Sequence, residues 1–289
     1  MKIDFKENVY YGEEYDFDSI LKNVLGLSSD MSVAVNFDGI NRIDGGDIFL
    51  LLYIVTSIYN KTKKRTQFLA LSEPVLKYLK DVELFNLNYV VAKDFGVWRK
   101  SQLKDVLIPV TLVKDNSKLV DIVSEYKTRA MQTDISIELK NVISNIIFEM
   151  GANVPEHAFS NEPEYIYYLF VVINTNTVRI VIQDCGKGFY RSLHDTYPDI
   201  ENSQEALEKV VIEHWSTRGT HNEGGMGYRY ITKMVNMFSG KLTILTGEAI
   251  INYSNNRNYS IIEKPYNIKG SNILIELGLN EKDNSRKNT

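Results

Sequence analysis

The first third of the chain contains both an alternating pattern of hydrophobic and polar residues and a longer, mainly hydrophobic run. Residues 31–37 (MSVAVNF) place apolar side chains at alternate positions, which predicts a buried strand. Residues 47–59 are mainly apolar over a length that fits a helix, and residues 66–71 predict a second strand. A helix is predicted over residues 72–84, because a serine precedes a proline at its start. Strands that alternate with helices predict an α/β domain.

Two long helical patterns, at residues 117–131 and 135–154, open the second half of the chain. Apolar side chains recur in the second pattern at steps of three and one: Leu139, Val142, Ile143, Ile146, Ile147 and Met150. This spacing predicts a helix with one apolar stripe. A hairpin, two helices and four strands are predicted beyond it: residues 164–183, 203–215, 227–238, 241–245, 249–253, 260–263 and 271–277. The second half is therefore predicted to be a sheet with helices on one face.

The composition adds limits to the function. The chain has 289 residues, of which 44% are hydrophobic and 24% are charged, which fits two globular domains. The formal net charge of −4 does not favour charge-driven binding to nucleic acid or to anionic membranes. The single cysteine, Cys185, excludes an intramolecular disulfide. The most apolar run, residues 48–58, is too short to cross a bilayer, so a cytoplasmic location without a membrane partner is expected.

A polar row accompanies the apolar stripe of the helix predicted over residues 135–154. Glu149, Asn153 and His157 are four residues apart, so a helix brings them onto one side. A carboxylate there can orient or deprotonate a water molecule, and an amide oxygen can ligate Mg²⁺. A solvated helix face explains the same row when it is taken alone. Pro155 should bend or end the helix, which affects the position of His157 most.

The segment DCGKG directly follows an apolar strand. Asp184 at this strand end can accept a hydrogen bond from an exocyclic amine. Gly186 and Gly188 allow the backbone to approach a flat ring closely and to adopt a positive φ. An ordinary turn at the end of the strand is the alternative, since aspartate and glycine are common turn residues.

A second glycine segment, at residues 224–227, leads into a predicted helix. Free N–H groups at a helix N-terminus bind phosphate, and the helix dipole favours the anion. The spacing is not G-x-G-x-x-G and no clear strand precedes it, so a dinucleotide-binding fingerprint is rejected. A flexible loop remains the alternative when this segment is considered alone.

Taken together, these segments resemble the motifs of the GHKL superfamily, the histidine-kinase-like ATPases. The row at residues 149–157 resembles the N box in the form seen in anti-sigma-factor kinases. The resemblance extends over residues 107–279 and includes the D-x-G-x-G box, the second glycine box and the late G-T element, which correspond to Asp184, Gly186 and Gly188, to Gly225 and Gly227, and to Gly270 and Ser271.

This resemblance implies a Bergerat-type α/β sandwich with a mixed sheet and helices on one face, which binds ATP and Mg²⁺. Asp184 would accept a hydrogen bond from the adenine amine, supported by Ser271. Asn153 would hold Mg²⁺ against the phosphates, and Glu149 would position or activate the attacking water. The nucleotide-binding set would be completed by the last residue of the N box and by residues of the glycine boxes and of a lid over residues 216–225: His157, Gly186, Gly188, Arg218 (or His221), Gly225 and Gly227.

Residues 33–84 resemble, more weakly, a STAS domain, the fold of anti-sigma-factor antagonists. The segment NFDGINRID and the apolar helix after it carry this resemblance. In the regulated members a serine or threonine follows the aspartate, whereas Gly45 and Gly46 follow Asp44 here, so phosphorylation at this place is not expected. A generic α/β domain that serves packing or docking is the alternative.

The chain is accordingly predicted to contain a STAS-like α/β interaction or sensor domain (1–106), a GHKL ATP-binding domain (107–280) and a polar tail (281–289). The expected function is that of a Mg-ATP-binding regulator that hydrolyses ATP slowly and contacts a protein partner through its N-terminal domain, with homodimerisation as an option. A serine/threonine kinase of the anti-sigma type and a non-catalytic ATP-gated interaction module are the alternatives. No histidine precedes residue 157, which excludes the phosphoacceptor helix of a conventional histidine kinase.

Overall fold

The computed structural model describes residues 1–5, 18–92, 105–159, 165–217, 226–254 and 258–279. Internal contacts divide the chain into two compact units, Met1–Val110 and Thr111–Thr289. The chain forms a four-stranded parallel sheet and a five-stranded sheet, together with helices. The prediction of an α/β protein is confirmed.

The first unit contains a parallel sheet in the order β1-β2-β3-β4. Its first and last strands were not predicted, because each has three residues and no longer alternating pattern surrounds it, unlike the strand within residues 31–37. A single 3₁₀ turn lies between the last helix and the last strand of the sheet. The elements are β1 (Lys2–Asp4), α1 (Asp18–Leu25), β2 (Ala34–Asn36), α2 (Gly45–Thr62), β3 (Thr66–Leu69), α3 (Glu73–Asp81) and β4 (Val90–Ala92).

Helix α2 begins two residues earlier than its apolar pattern predicts. The Asp44 carboxylate accepts from the backbone N–H of Gly46 at 2.7 Å, and the Asp47 carboxylate accepts from the N–H of Asp44 at 2.8 Å. This reciprocal cap draws the two glycines into the first turn of the helix. Most residues of α2 are buried, including consecutive positions from Gly45 to Thr56, so the helix is covered on all sides over this stretch.

The second sheet has the strand order β5-β6-β7-β9-β8, and its β6–β7, β7–β9 and β8–β9 ladders are antiparallel. Two π-helical turns, Val154–Ala158 and Glu208–Ile212, extend α5 and α7. The elements are β5 (Val106–Val113), α4 (Asn116–Ala130), α5 (Ile137–Asn153), β6 (Tyr167–Ile173), β7 (Thr177–Asp184), α6 (Gly188–His194), α7 (Ser203–Leu207), α8 (Met226–Met237), β8 (Lys241–Ser254) and β9 (Tyr259–Gly278).

Strand β8 reverses its direction within its own length. The Thr243 hydroxyl donates to the side chain of Asn252 at 3.1 Å, although nine extended residues would separate these positions by about 30 Å. The reversal lies at Gly247, whose φ is +55° and where the β8–β9 register shifts. The predicted break between residues 241–245 and 249–253 corresponds to this turn.

A buried ion pair joins β7 to β9 on the sheet face opposite Asp184. Arg179 and Glu276 are cross-strand partners, and the Arg179 Nε atom lies 2.8 Å from Glu276 Oε1. Their side chains are only 9% and 6% exposed. Each member therefore depends on the other for compensation of its charge.

We expect Arg179→Met to lower the free energy of unfolding by about 3–5 kcal/mol, because Glu276 would remain buried without its main counter-charge. The double variant Arg179→Met/Glu276→Met should recover most of this loss. Urea denaturation measures both. Arg129→Met, which breaks the exposed pair with Glu125, is the control and should cost about 1 kcal/mol or less. Equal losses for the two arginine variants would contradict a special role for the buried pair.

Candidate functional site

A cavity of about 220 Å³ lies in the second unit. Its lining includes residues from all the motifs that the sequence analysis singled out: Glu149, Asn153, His157, Asp184, Gly188, Gly227 and Ser271. Four distant segments of the chain therefore meet at one place. Arg218, His221 and Gly225 lie outside the described residues.

Helix α5 carries the first motif. The Ser136 side chain caps the helix by accepting from the N–H of Leu139 at 3.3 Å, and the predicted apolar stripe is buried against the core. This anchoring leaves the neighbouring polar row at the edge of the core, where Glu149 is exposed and Asn153 is half-buried. Both side chains line the cavity.

Pro155 changes the hydrogen bonding of the helix without removing His157 from the site. The α-helix ends at Asn153 and continues as a π-helical turn through Ala158. Proline has no N–H to donate to the carbonyl four residues earlier, and the wider turn accommodates this loss. His157 still lines the cavity, where its Nδ1 atom lies 3.0 Å from the hydroxyl of Thr217.

Asp184 is the buried acid of the cavity and is only 4% exposed. It stands at the end of β7 opposite Ser271 of β9, and its carboxylate accepts from the N–H of Gly186 at 2.8 Å. Burial raises the pKa of Asp184 from 3.8 to about 6, and the hydrogen bonds from Gly186 and Ser271 partly offset this rise. The carboxylate is thus mainly ionised at neutral pH, in a place that water reaches poorly.

Glycines allow the backbone around Asp184 to pack closely. A Cβ atom at Gly186 would collide with the carbonyl oxygen of Ala158, and one at Gly270 would collide with the carbonyl oxygen of Asp184. Gly270 also has a φ of +78°. The N–H of Lys187 donates to Ala158 at 2.9 Å, which ties this loop to the π-helical turn.

Gly227, in the first turn of α8, faces the polar row of α5. A Cβ atom at this position would lie 3.0 Å from Asn153 Nδ2 and 3.9 Å from Glu149 Oε2. The second glycine segment and the polar row are therefore in direct contact. Glycine at this position leaves room beside the two polar side chains.

Several aromatic residues of the site escaped the sequence analysis. Tyr228 and Phe189 both line the cavity, and their rings meet edge to face with centroids 5.6 Å apart. Burial and the nearby Asp184 carboxylate raise the pKa of Tyr228 well above its usual value. Trp215 lines the cavity as well. The sequence offers one signal for Tyr228, namely that it directly follows the second glycine segment.

The cavity combines an apolar wall with polar groups at its depth and rim. The apolar side chains are Met150, Val154, Leu193, Val210 and Ile273. Such a lining suits a flat ring whose polar edge meets Asp184. Among the described residues, no group of three or more His, Cys, Asp or Glu side chains can hold a metal ion by itself. A cation at this site would therefore need further ligands, such as the phosphates of a nucleotide.

Comparison with curated proteins finds relatives for part of the chain. An anti-sigma F factor of Anoxybacillus flavithermus (strain DSM 21510 / WK1) is 27% identical over 111 residues, which is 37% of this chain and 66% of the relative. Anti-sigma F factors of Geobacillus thermodenitrificans (strain NG80-2) and Geobacillus sp. (strain WCH70) are each 26% identical over 102 residues, which is 31% of this chain and 70% of each relative. The chain is similar to anti-sigma F factors.

This similarity is partial. The chain spans about two thirds of the length of the curated relatives it matches. No protein-family model matches the chain. Among the described helices, none has the length and hydrophobicity needed to cross a membrane.

We expect Asp184→Asn to stabilise the ligand-free protein at pH 7.5. Above pH 6 the folded state must bury the charge, whereas below that pH it takes up a proton that the unfolded chain binds only near pH 3.8. The free-energy cost of burying the Asp184 charge therefore disappears as the pH falls from about 6 to 3.8. Urea denaturation should show a gain of up to about 3 kcal/mol at pH 7.5 and little gain at pH 4.

Asp121→Asn, at an exposed position of α4, is the matched control for the loss of one negative charge. A gain for Asp184→Asn that is the same at both pH values, or that also appears in the control, would contradict this account of the buried carboxylate.

Proposed function

We propose that the second unit binds Mg-ATP in the 220 Å³ cavity and that the nucleotide state controls the contacts of this chain with a protein partner. The observation that carries this proposal is the meeting of Asp184, Asn153 and Gly227 around one cavity with an apolar wall. The similarity to anti-sigma F factors supports a regulatory role. We propose further that the protein hydrolyses ATP slowly.

Adenine is the base that suits the inner end of the cavity, where Asp184 lies. The Asp184 carboxylate accepts hydrogen bonds, and the exocyclic amine of adenine donates them. Ser271, its cross-strand partner, holds the carboxylate in place directly or through water. The apolar side chains and the rings of Phe189 and Tyr228 provide the surface against which the base packs.

The phosphates and Mg²⁺ belong at the other end of the cavity, between α5 and the start of α8. The amide oxygen of Asn153 is a ligand that Mg²⁺ accepts, and the ion would hold the phosphates against the protein. The free N–H groups at the start of α8 favour an anion. Gly227 keeps this space open beside Asn153 and Glu149.

Glu149 is the residue we assign to proton transfer. It is exposed at the cavity rim, so a water molecule or a partner's hydroxyl group can reach it. In either case the attacking oxygen bonds to the γ-phosphorus, the bond to the bridging oxygen breaks and ADP leaves. The proton of the attacking group passes to Glu149. Water as the attacking group gives hydrolysis, and a serine or threonine hydroxyl gives a protein kinase.

The protein kinase is the second candidate function, and the row at residues 149–157, which resembles the N box of anti-sigma-factor kinases, favours it. The name of the relatives, anti-sigma F factor, also makes a sigma factor the first partner to test. We place the partner contact on the first unit, because a STAS-like domain would serve as an interaction module. Helix α2 is buried on all sides from Gly45 to Thr56, so the contact would use other surfaces of that unit.

We expect the purified protein to release labelled phosphate from Mg²⁺ and γ-labelled ATP, and Glu149→Gln to reduce this release at least about 100-fold, because it removes the proton acceptor. Thin-layer separation of free phosphate measures the release. Glu138→Gln, an exposed position on the same helix, is the matched control and should release phosphate like the wild type. Wild-type rates in Glu149→Gln would contradict the role of Glu149.

The same incubation distinguishes the alternatives. Label that appears in an added candidate partner, and is lost with Glu149→Gln, identifies the kinase. Nucleotide binding without release or transfer, lost with Asn153→Ala together with partner binding, identifies an ATP-gated interaction module. Absence of nucleotide binding in the wild type contradicts the proposal as a whole.

A further inference from the structure

A second cavity, of about 500 Å³, adjoins the first at the segment 185–189. It shares Ala158, Gly188 and Phe189 with the first cavity but none of the other residues that line the first. Three basic residues contribute to its lining: Lys187, Arg191 and Lys269. The proposed nucleotide site makes no use of these side chains.

The charge of this cavity is one-sided. Its described lining contains three cations and no carboxylate, in a chain whose net charge is −4. Lys187 is paired with Asp195 at 2.6 Å, outside the lining. Arg191 and Lys269 are exposed, and within the described part of the chain neither has a carboxylate partner. Such a concentration of like charge stabilises a bound anion.

The rest of the lining indicates a second property of the ligand, an apolar portion. Aromatic and aliphatic side chains, namely Phe159, Phe189, Tyr190 and Ile268, contribute apolar surface beside the cations. Ser203 and Asn267 add polar groups at the wall, and Asn267 donates at 3.3 Å to the carboxylate of Glu248, which does not line the cavity. A ligand that fits this cavity therefore combines an apolar portion with negative charge.

We propose that the second cavity binds a small organic anion that carries two or more negative charges, as carboxylate or phosphate groups. Arg191 and Lys269 pair with its charged groups, and the aromatic side chains pack against its carbon skeleton. This site is separate from the proposed nucleotide site and does not depend on ATP binding. Gly188 and Phe189, which line both cavities, contact both ligands.

Cys185 provides a direct reporter of occupancy. It is the only cysteine of the chain, it is half-buried, and it lines the second cavity but not the first. The nucleotide-free protein would be alkylated with a thiol reagent at constant ionic strength, with citrate or phenyl phosphate as the probe. We expect saturable protection of Cys185, with alkylation slowed about tenfold at ten times the dissociation constant of the probe. The comparison of the two probes distinguishes a carboxylate site from a phosphate site.

The double variant Arg191→Gln/Lys269→Gln should lose this protection, because it removes the two exposed cations. Lys118→Gln/Lys127→Gln, at two exposed positions of α4, makes the same change in net charge and should keep it. Asn153→Ala, which targets the nucleotide site, should also keep it, so a failure of one proposal is distinguishable from a failure of the other. Absence of protection by both probes, or protection that survives in Arg191→Gln/Lys269→Gln, would overturn the proposal.

Discussion

The close passage of backbone around Asp184 is the constraint on which the candidate site depends. Asp184 ends β7 where Gly270 of β9 touches its carbonyl group, and Gly186 touches the π-helical turn at Ala158. Side chains at either glycine would push the segments apart. Because these contacts hold α5, β7 and β9 together at one point, they fix the position of the buried carboxylate relative to Asn153 and the cavity between them.

A buried carboxylate with a pKa of about 6 does not serve stability, since burial of its charge costs free energy above that pH. Its hydrogen bonds to Gly186 and Ser271 reduce this cost but do not remove it. In the proposed nucleotide complex, a hydrogen-bond donor on the ligand would compensate for the rest of this cost. The buried carboxylate at Asp184 therefore lowers the stability of the protein. A binding site for a ring that carries an amine needs such a buried acceptor in spite of this cost.

The sequence predicted the α/β pattern, the apolar stripe of α5 and the segments that meet at the cavity, because each leaves a local signature of spacing or turn residues. It did not predict the π-helical turn that keeps His157 in the cavity, since Pro155 indicates only that an α-helix cannot continue. Tyr228 and the cations of the second cavity were also missed. Side chains from separate elements form these features, and no periodic pattern along the chain records such contacts.

The central claim is that Asp184 recognises the base of a bound nucleotide. A comparison of two bases tests this claim most directly. Adenine presents an amine where guanine presents a carbonyl oxygen, so a buried carboxylate should accept from the first and repel the second. Calorimetric titration of the wild-type protein at pH 7.5 should give binding of Mg-ATP and at least about 100-fold weaker binding of Mg-GTP. Equal affinity for the two nucleotides, or no binding of either, would contradict the account.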